Sequence, residues 1–245
     1  MAILFFIFGL IMGSFFNVVG LRIPKKQSIV RPGSHCTFCQ TPLKPVDLIP
    51  VLSYFITLGK CRYCSQKLTI IYPTIELVTG ISYAYAYIVF GWAPALIGSL
   101  LFISLLLIVF VSDLFYMIIP DIILLFFAPI FVLYRLWQPA EPWFGAWAGA
   151  ALGFGLLLLI AVISKGGMGG GDIKLFAVIG LMVGWKGVLL ILFLASLIGS
   201  IIGLCLFLLK KVKRRQHIPF GPFIVSAALI VLFWGEPILE WYFRL

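Results

Sequence analysis

Long apolar runs, separated by short polar segments, are the main pattern along this chain. Runs of about 20 predominantly apolar residues are long enough to cross the hydrocarbon core of a bilayer as α-helices. Eight such runs are present, and the sixth is the shortest. They lie near residues 1–20, 74–92, 95–113, 119–138, 143–164, 173–185, 187–209 and 219–243. The pattern predicts an all-α polytopic membrane protein with about eight transmembrane helices.

The composition indicates that the bilayer is the solvent of this protein. Of the 245 residues, 63% are hydrophobic and 11% are charged, whereas soluble domains are about half apolar and about a quarter charged. A soluble fold of this size could not bury so much apolar surface. The first run contains no Lys or Arg before Arg22, so it lacks the charged region that begins a secretory signal peptide. We interpret 1–20 as a retained first transmembrane helix.

The 18 Lys and Arg residues are distributed unevenly about the predicted helices. Threading the chain through the membrane eight times puts 15 of them on one side and only Arg135, Lys186 and Arg244 on the other. Because Lys and Arg collect in cytoplasmic loops, the majority side is predicted to be cytoplasmic and both termini external. The cytoplasmic loops are then 21–73, 113–120, 164–173 and 210–218. This topology explains the net charge of +10, so we expect no nucleic-acid partner.

The predicted cytoplasmic loop 21–73 contains two Cys-x2-Cys motifs. Cys36 and Cys39 form the first, Cys61 and Cys64 form the second, and 21 residues separate them. Four thiolates at this spacing favour a tetrahedral, structural zinc site, and metal binding would let so small a loop fold. Disulfides are less favoured in the reducing cytoplasm, and four free cysteines are the remaining alternative.

These features predict three parts in the chain. The first transmembrane helix is 1–20, the zinc-binding cytoplasmic loop is 21–73, and a seven-helix membrane core is 74–245.

Two aspartates lie at the predicted cytoplasmic ends of transmembrane helices. Asp113 ends the third predicted helix, and Asp172 begins the sixth, directly after the three glycines 169–171. Ionisable residues at such positions are costly and therefore indicate function. Two facing carboxyls can share one proton, so that one activates water as general base and the other acts on the scissile carbonyl as general acid. The pair indicates aspartyl peptidase chemistry.

Each aspartate also has an alternative interpretation. Asp172 could cap a helix after a flexible loop. Asp121, which follows Pro120, competes with Asp113 for the catalytic role, although a negative charge is also favoured in the first turn of a helix.

Two other function classes fit parts of the sequence. A proton-coupled membrane transporter would use intramembrane acids as a relay, but it requires acids near mid-membrane and a repeated architecture. A zinc-dependent membrane scaffold would use 21–73 as a docking module and would leave both aspartates dispensable.

The sequence resembles the bacterial type IV prepilin peptidases, also called type 4 leader peptidases, along nearly its whole length. One motif would be weak evidence, but the motifs occur as an ordered set. They are 13–18 (GSFFNV), the paired Cys-x2-Cys motifs followed by Tyr72-Pro73 and Glu76-Leu77, Asp113 with Ile119-Pro120-Asp121, 169–174 (GGGDIK) and 218–222 (IPFGP).

The resemblance implies an intramembrane aspartic endopeptidase with Asp113 and Asp172 as its catalytic pair. Gly169, Gly171 and Lys174 would support the substrate or the loop. The substrates would be prepilins or pseudopilins, whose short basic leader precedes a hydrophobic helix. Cleavage would follow a glycine at the cytoplasmic face of the bacterial cell membrane.

The resemblance also implies a second activity. Many bacterial members methylate the new N-terminus with S-adenosylmethionine, and the cysteine loop is tied to that form of the family. The loop is complete here, so we expect an N-methyltransferase that serves a pilus, a secretion system or a competence system.

Overall fold

The computed structural model describes residues 1–210 and 218–243. Within these residues the chain consists of helices and turns, with no β-strand. The α-helices are α1 (Ala2–Arg22), α2 (Leu52–Ile56), α3 (Ile71–Phe90), α4 (Pro94–Tyr116), α5 (Asp121–Trp137), α6 (Gly145–Ile163), α7 (Gly170–Leu208) and α8 (Gly221–Phe243), and a 3₁₀-helix covers Pro45–Leu48. The predicted cytoplasmic charges Lys211, Lys213, Arg214 and Arg215 and the predicted external Arg244 lie outside the described residues.

Five of the described helices are long and apolar enough to span a bilayer, namely α1, α4, α6, α7 and α8. In addition, α3 and α5 cover the predicted spans near 74–92 and 119–138. The chain is therefore a multi-pass membrane protein, and the prediction of an all-α polytopic fold is confirmed.

The predicted sixth and seventh transmembrane helices form one element, α7. Its 39 residues would be about 58 Å long if straight, which is roughly twice the thickness of the hydrocarbon core. Gly184 interrupts the helix with φ 69° and ψ −179°, a conformation that glycine adopts without steric cost. The break divides α7 into 170–183 and 185–208, near the boundary that the apolar runs predicted.

Arg135 on α5 compensates for the broken backbone at Gly184. The last carbonyls of a helix have no partner within it, and lipid offers none. The Arg135 guanidinium donates a hydrogen bond from Nε to the Leu181 carbonyl at 2.9 Å and another from Nη2 to the Met182 carbonyl. It thus caps the first half of α7. Sequence reasoning assigned Arg135 only to the non-cytoplasmic side.

The chain divides into two compact units, Met1–Leu96 and Ile97–Leu245. In the first unit, α1 packs against α3 through glycines. A Cβ atom on Gly9 would lie 2.8 Å from the Gly80 Cα, so the two backbones are as close as small residues permit. This unit contains α1, the cysteine loop and α3 together. The predicted division at 20 and 73 groups these parts differently and stays a prediction.

In the second unit, α6 packs most extensively against α7. Gly149 and Gly153 lie one turn apart on α6, and a Cβ on either would be 2.5 Å from a carbonyl oxygen of α7, that of Gly180 or of Phe176. Small residues at this spacing let membrane helices approach closely. Of the five spanning helices, α4 is the most buried, and it carries the first candidate aspartate.

Enlarging Gly149 is expected to separate α6 from α7. We predict that Gly149→Leu lowers the stability of the membrane-inserted protein by about 3 kcal/mol, because overpacking here pushes against backbone atoms, which cannot rotate away. Unfolding in increasing concentrations of a denaturing detergent measures the change. The matched control is Gly155→Leu on the same helix, where a Cβ would meet nothing within 4 Å. Equal losses in the two variants would contradict the close packing.

Candidate active site and metal centre

Asp113 lies in the last turn of α4 and is buried, with 6% of its surface exposed. Its Oδ2 atom accepts a hydrogen bond from the backbone N–H of Gly221 at 2.8 Å. Gly221 is the first residue of α8, where N–H groups have no partner within the helix. A Cβ atom at position 221 would lie 2.6 Å from Oδ2. Because no side chain fits there, only glycine lets the start of α8 fix this carboxylate.

Asp172 lies in the first turn of α7 and is half-buried. The residue at the N-cap position is Gly169, and the Asp172 carboxylate accepts a backbone hydrogen bond from it. A bond from the third helical residue back to the N-cap is a common way to stabilise a helix start. The interpretation of Asp172 as the cap itself is therefore wrong, although its carboxylate does hold the first turn of α7.

The fold brings the Asp113 and Asp172 carboxyls close enough to interact electrostatically. They come from the end of α4 and the beginning of α7, which are far apart in sequence. Two carboxyls that lie close together can share a single proton. The arrangement can supply a base and an acid to the same reacting bond.

Asp121 has a different environment from Asp113. It is exposed in the first turn of α5, and the Lys174 ammonium donates to both of its carboxylate oxygens at 2.9 and 2.7 Å. The sequence left open whether Asp113 or Asp121 would face Asp172. In the structure Asp113 is the buried partner, and Asp121 pairs with a cation. Lys174, which was predicted to support the substrate or the loop, links α7 to α5 through this pair.

The three glycines before Asp172 differ in the space around them. A Cβ on Gly169 would lie 3.1 Å from the Asp172 Oδ2, and one on Gly171 would lie 2.9 Å from the Ile119 Cβ, whereas one on Gly170 would meet nothing within 4 Å. Gly169 and Gly171, the two glycines selected from the sequence, are thus the two at which a side chain would be crowded. Their support of the substrate stays a prediction.

The four predicted cysteine ligands come together in the first unit. The sulfur atoms of Cys36, Cys39, Cys61 and Cys64 all lie within 4.8 Å of one another, and the Cys36 and Cys64 sulfurs are 3.8 Å apart. Zn–S bonds of about 2.3 Å in a tetrahedron place sulfurs about 3.8 Å apart. The cluster could therefore hold a metal ion, and its all-thiolate donor set fits one.

The two cysteine motifs have the same local structure. The Cys36 N–H donates to the Thr41 carbonyl at 3.0 Å, and the Cys61 N–H donates to the Gln66 carbonyl at 2.8 Å. The residues after the second cysteines, Gln40 and Ser65, both have positive φ, at 59° and 58°. Sequence reasoning found no repeat, although Cys-x-aromatic-Cys-x-x-x-Leu occurs twice. The duplicated turn explains how each motif contributes two sulfurs to the cluster.

Asp47 is a structural residue of this loop that sequence reasoning missed. It lies in the 3₁₀-helix and accepts hydrogen bonds from the Tyr63 hydroxyl at 2.8 Å and from the Lys44 N–H at 3.1 Å. The Tyr63 hydrogen bond, with help from the Arg62 guanidinium, holds the pKa of this carboxyl below its usual range. Asp47 thus ties the segment between the two cysteine motifs to the second of them.

Comparison with known proteins finds two family models that match the chain. Residues 7–90 match the Bacterial Peptidase A24 N-terminal domain, and residues 100–204 match the Type IV leader peptidase family. The chain is 43% identical to a prepilin leader peptidase/N-methyltransferase of Bacillus subtilis, over 98% of this chain and 97% of the relative. It is 32% identical to a protein of the same name from Pseudomonas aeruginosa, over 96% and 91% of the two chains. No solved structure matches the chain.

The cysteine cluster predicts a firmly bound metal ion. We expect elemental analysis of the purified protein to find about one thiophilic metal ion per chain. Cys36→Ser should lose most of this metal, because a tetrahedral site with three thiolates binds more weakly. Cys205→Ser is the matched control, since Cys205 lies outside the cluster. Equal metal content in the two variants would refute the assignment.

Proposed function

This chain belongs to the type IV leader peptidase family, and from that premise we propose that it cleaves the basic leaders of type IV prepilins and pseudopilins. The scissile bond follows a glycine, at the cytoplasmic face of the bacterial cell membrane. The family is one of aspartic peptidases, and the relatives named above are prepilin leader peptidases. The observation that carries the proposal is the meeting of Asp113 and Asp172 at the ends of two membrane helices.

In the proposed reaction the two aspartates share one proton. The ionised carboxylate takes a proton from water, and the water oxygen attacks the scissile carbonyl. The protonated carboxyl donates its proton to the carbonyl oxygen. The pair therefore still holds one proton after the step, now on the other carboxyl. Gly221 holds Asp113 in place, and the glycines before Asp172 let an extended substrate strand approach the backbone closely.

The second proposed activity is methylation of the amine that cleavage exposes. The relatives carry N-methyltransferase in their names, and S-adenosylmethionine supplies the methyl group in that chemistry. The cysteine cluster holds Zn²⁺ in this proposal. Four thiolates complete a tetrahedron and leave no open position, so the ion has a structural role, in which it folds the loop 21–73.

Removing either catalytic carboxylate should stop cleavage. We predict that Asp113→Asn and Asp172→Asn each lower the rate of leader cleavage by at least about 100-fold, because an amide can act as neither base nor acid. The measurement is the cleavage rate of a prepilin by membranes that contain equal amounts of each variant. Asp121→Asn should change the rate less than about fivefold, because it loses only an exposed ion pair. If only Asp121→Asn lost cleavage activity, Asp121 rather than Asp113 would be the catalytic partner of Asp172.

Filling the space at Gly221 should displace the Asp113 carboxylate. We predict that Gly221→Ala lowers kcat by on the order of 100-fold, since misplacing a reacting group by about 1 Å can cost this much. Gly170→Ala is the control, because it adds the same methyl group in open space near Asp172. If both variants retain wild-type kcat in the same prepilin assay, the close contact at Gly221 has no catalytic importance.

A further inference from the structure

A polar cluster lies between α1 and α3 in the first unit. Its residues are neither the clustered cysteines nor the two catalytic aspartates. Its members are Ser14 and Asn17 on α1 and Glu76 on α3. Asn17 and Glu76 are buried, with 6% and 8% of their surfaces exposed. The cysteine loop joins the end of α1 to the beginning of α3, and each residue lies five positions from that end of its helix. This spacing corresponds to about 7.5 Å along the helix axis. Both residues therefore lie close to the loop-side ends of their helices.

Glu76 is held by donors but has no cation partner. Its Oε2 accepts a hydrogen bond from the Val51 N–H at 2.7 Å, and the Ser14 hydroxyl donates to the same carboxyl group. Val51 has φ 62°, which is unfavourable for a β-branched residue, so the loop backbone is strained where it meets Glu76. In the part of the chain that the structure describes, Glu76 forms no ion pair.

Asn17 carries an acceptor without a donor. Its Nδ2 donates to the Tyr72 carbonyl at 3.1 Å, which orients the amide and leaves Oδ1 free. This Oδ1 atom is buried and has no hydrogen-bond partner among the residues that the structure describes. Buried polar atoms nearly always have one, and a buried carboxylate without a cation is costly. Both deficits are removed by a single type of group, one that has N–H donors and a positive charge.

We infer that Asn17 and Glu76 receive a primary ammonium group, namely the new N-terminus that leader cleavage exposes. S-adenosylmethionine also carries an ammonium group, on its methionine portion, so occupancy of the cluster by that donor is the competing outcome that the tests below separate. This inference rests on the methylation activity proposed above. In that step Glu76 accepts a proton from the ammonium, and the freed lone pair forms the N–C bond. The S–C bond of the sulfonium donor breaks and leaves its electron pair on sulfur.

The wild-type protein provides the first test, which needs no variant to fold. Two peptides begin with the residue after the scissile bond, one with a free amine and one N-acetylated, and their binding to the full chain in nanodiscs is measured. We expect the free amine to bind about tenfold tighter, as one charge-assisted hydrogen bond permits. Equal binding of the two peptides overturns the inference, and the cluster is then only a contact between two helices.

Glu76→Gln is the second test, because it keeps an acceptor for the Val51 N–H and removes the charge. We expect the preference for the free amine to fall below about twofold, and the methylated fraction of cleaved product to fall with it. Thr79→Val is the matched control on the same buried face of α3; its hydroxyl bonds only to the Ile75 carbonyl of its own helix, at 2.6 Å. An unchanged preference in Glu76→Gln overturns the inference.

Failure of this inference can be told apart from failure of the proposed function. Methylation of cleaved prepilin by the wild-type protein tests the function, and the amine preference tests the site. If the wild type methylates but binds both peptides equally, only the site assignment is wrong. If weaker binding in Glu76→Gln is confined to the sulfonium donor, the site holds that donor instead, and the assignment to the ammonium is wrong.

Discussion

The hydrogen bond from the Gly221 N–H to the Asp113 carboxylate is the contact on which the candidate active site depends. A carboxylate at the buried end of a membrane helix needs a donor from the protein, because lipid supplies none. The start of α8 supplies it at 2.8 Å, and it can do so only because residue 221 has no side chain. Once this carboxylate is fixed, the start of α7 brings Asp172 close enough for the two carboxyls to interact electrostatically. The proposed acid–base pair thus depends on the packing of three helices.

Glycine residues have the same role elsewhere in the fold, where the lack of a side chain permits a close contact or a backbone break. Glycines on α1 and α3 and on α6 and α7 bring backbones close enough for van der Waals packing to hold the helices, which matters because lipid leaves little hydrophobic driving force between them. Gly184 breaks α7, and Arg135 then satisfies carbonyls at the break. Glycine thus sets helix contacts, helix ends and the geometry around both aspartates. The buried Asp113 and Glu76 carboxyls accept hydrogen bonds from backbone N–H groups, whereas the buried Asn17 Oδ1 has no partner among the described residues.

The sequence predicted the helical spans and the grouping of four cysteines because each signal is local. Apolar runs of fixed length give the helices, and two Cys-x2-Cys motifs give four sulfurs that could meet. Which of Asp113 and Asp121 is the buried candidate could not be predicted, since it depends on their contacts with Gly221 and Lys174, which are distant in sequence. The cap by Arg135 depends in the same way on carbonyls 46 residues later. The duplicated cysteine turn was present in the sequence, but its eight-residue pattern is too short to stand out without the shared hydrogen bonds.

In the proposed mechanism Asp113 and Asp172 act as one pair that holds a single proton. The pH dependence of kcat/KM for leader cleavage measures this property. A pair that works as base and acid together is active only in its singly protonated form, so we expect a bell-shaped profile with one ionisation on each side. A profile with a single limb, or one independent of pH, would contradict the shared proton and would require a different catalytic group.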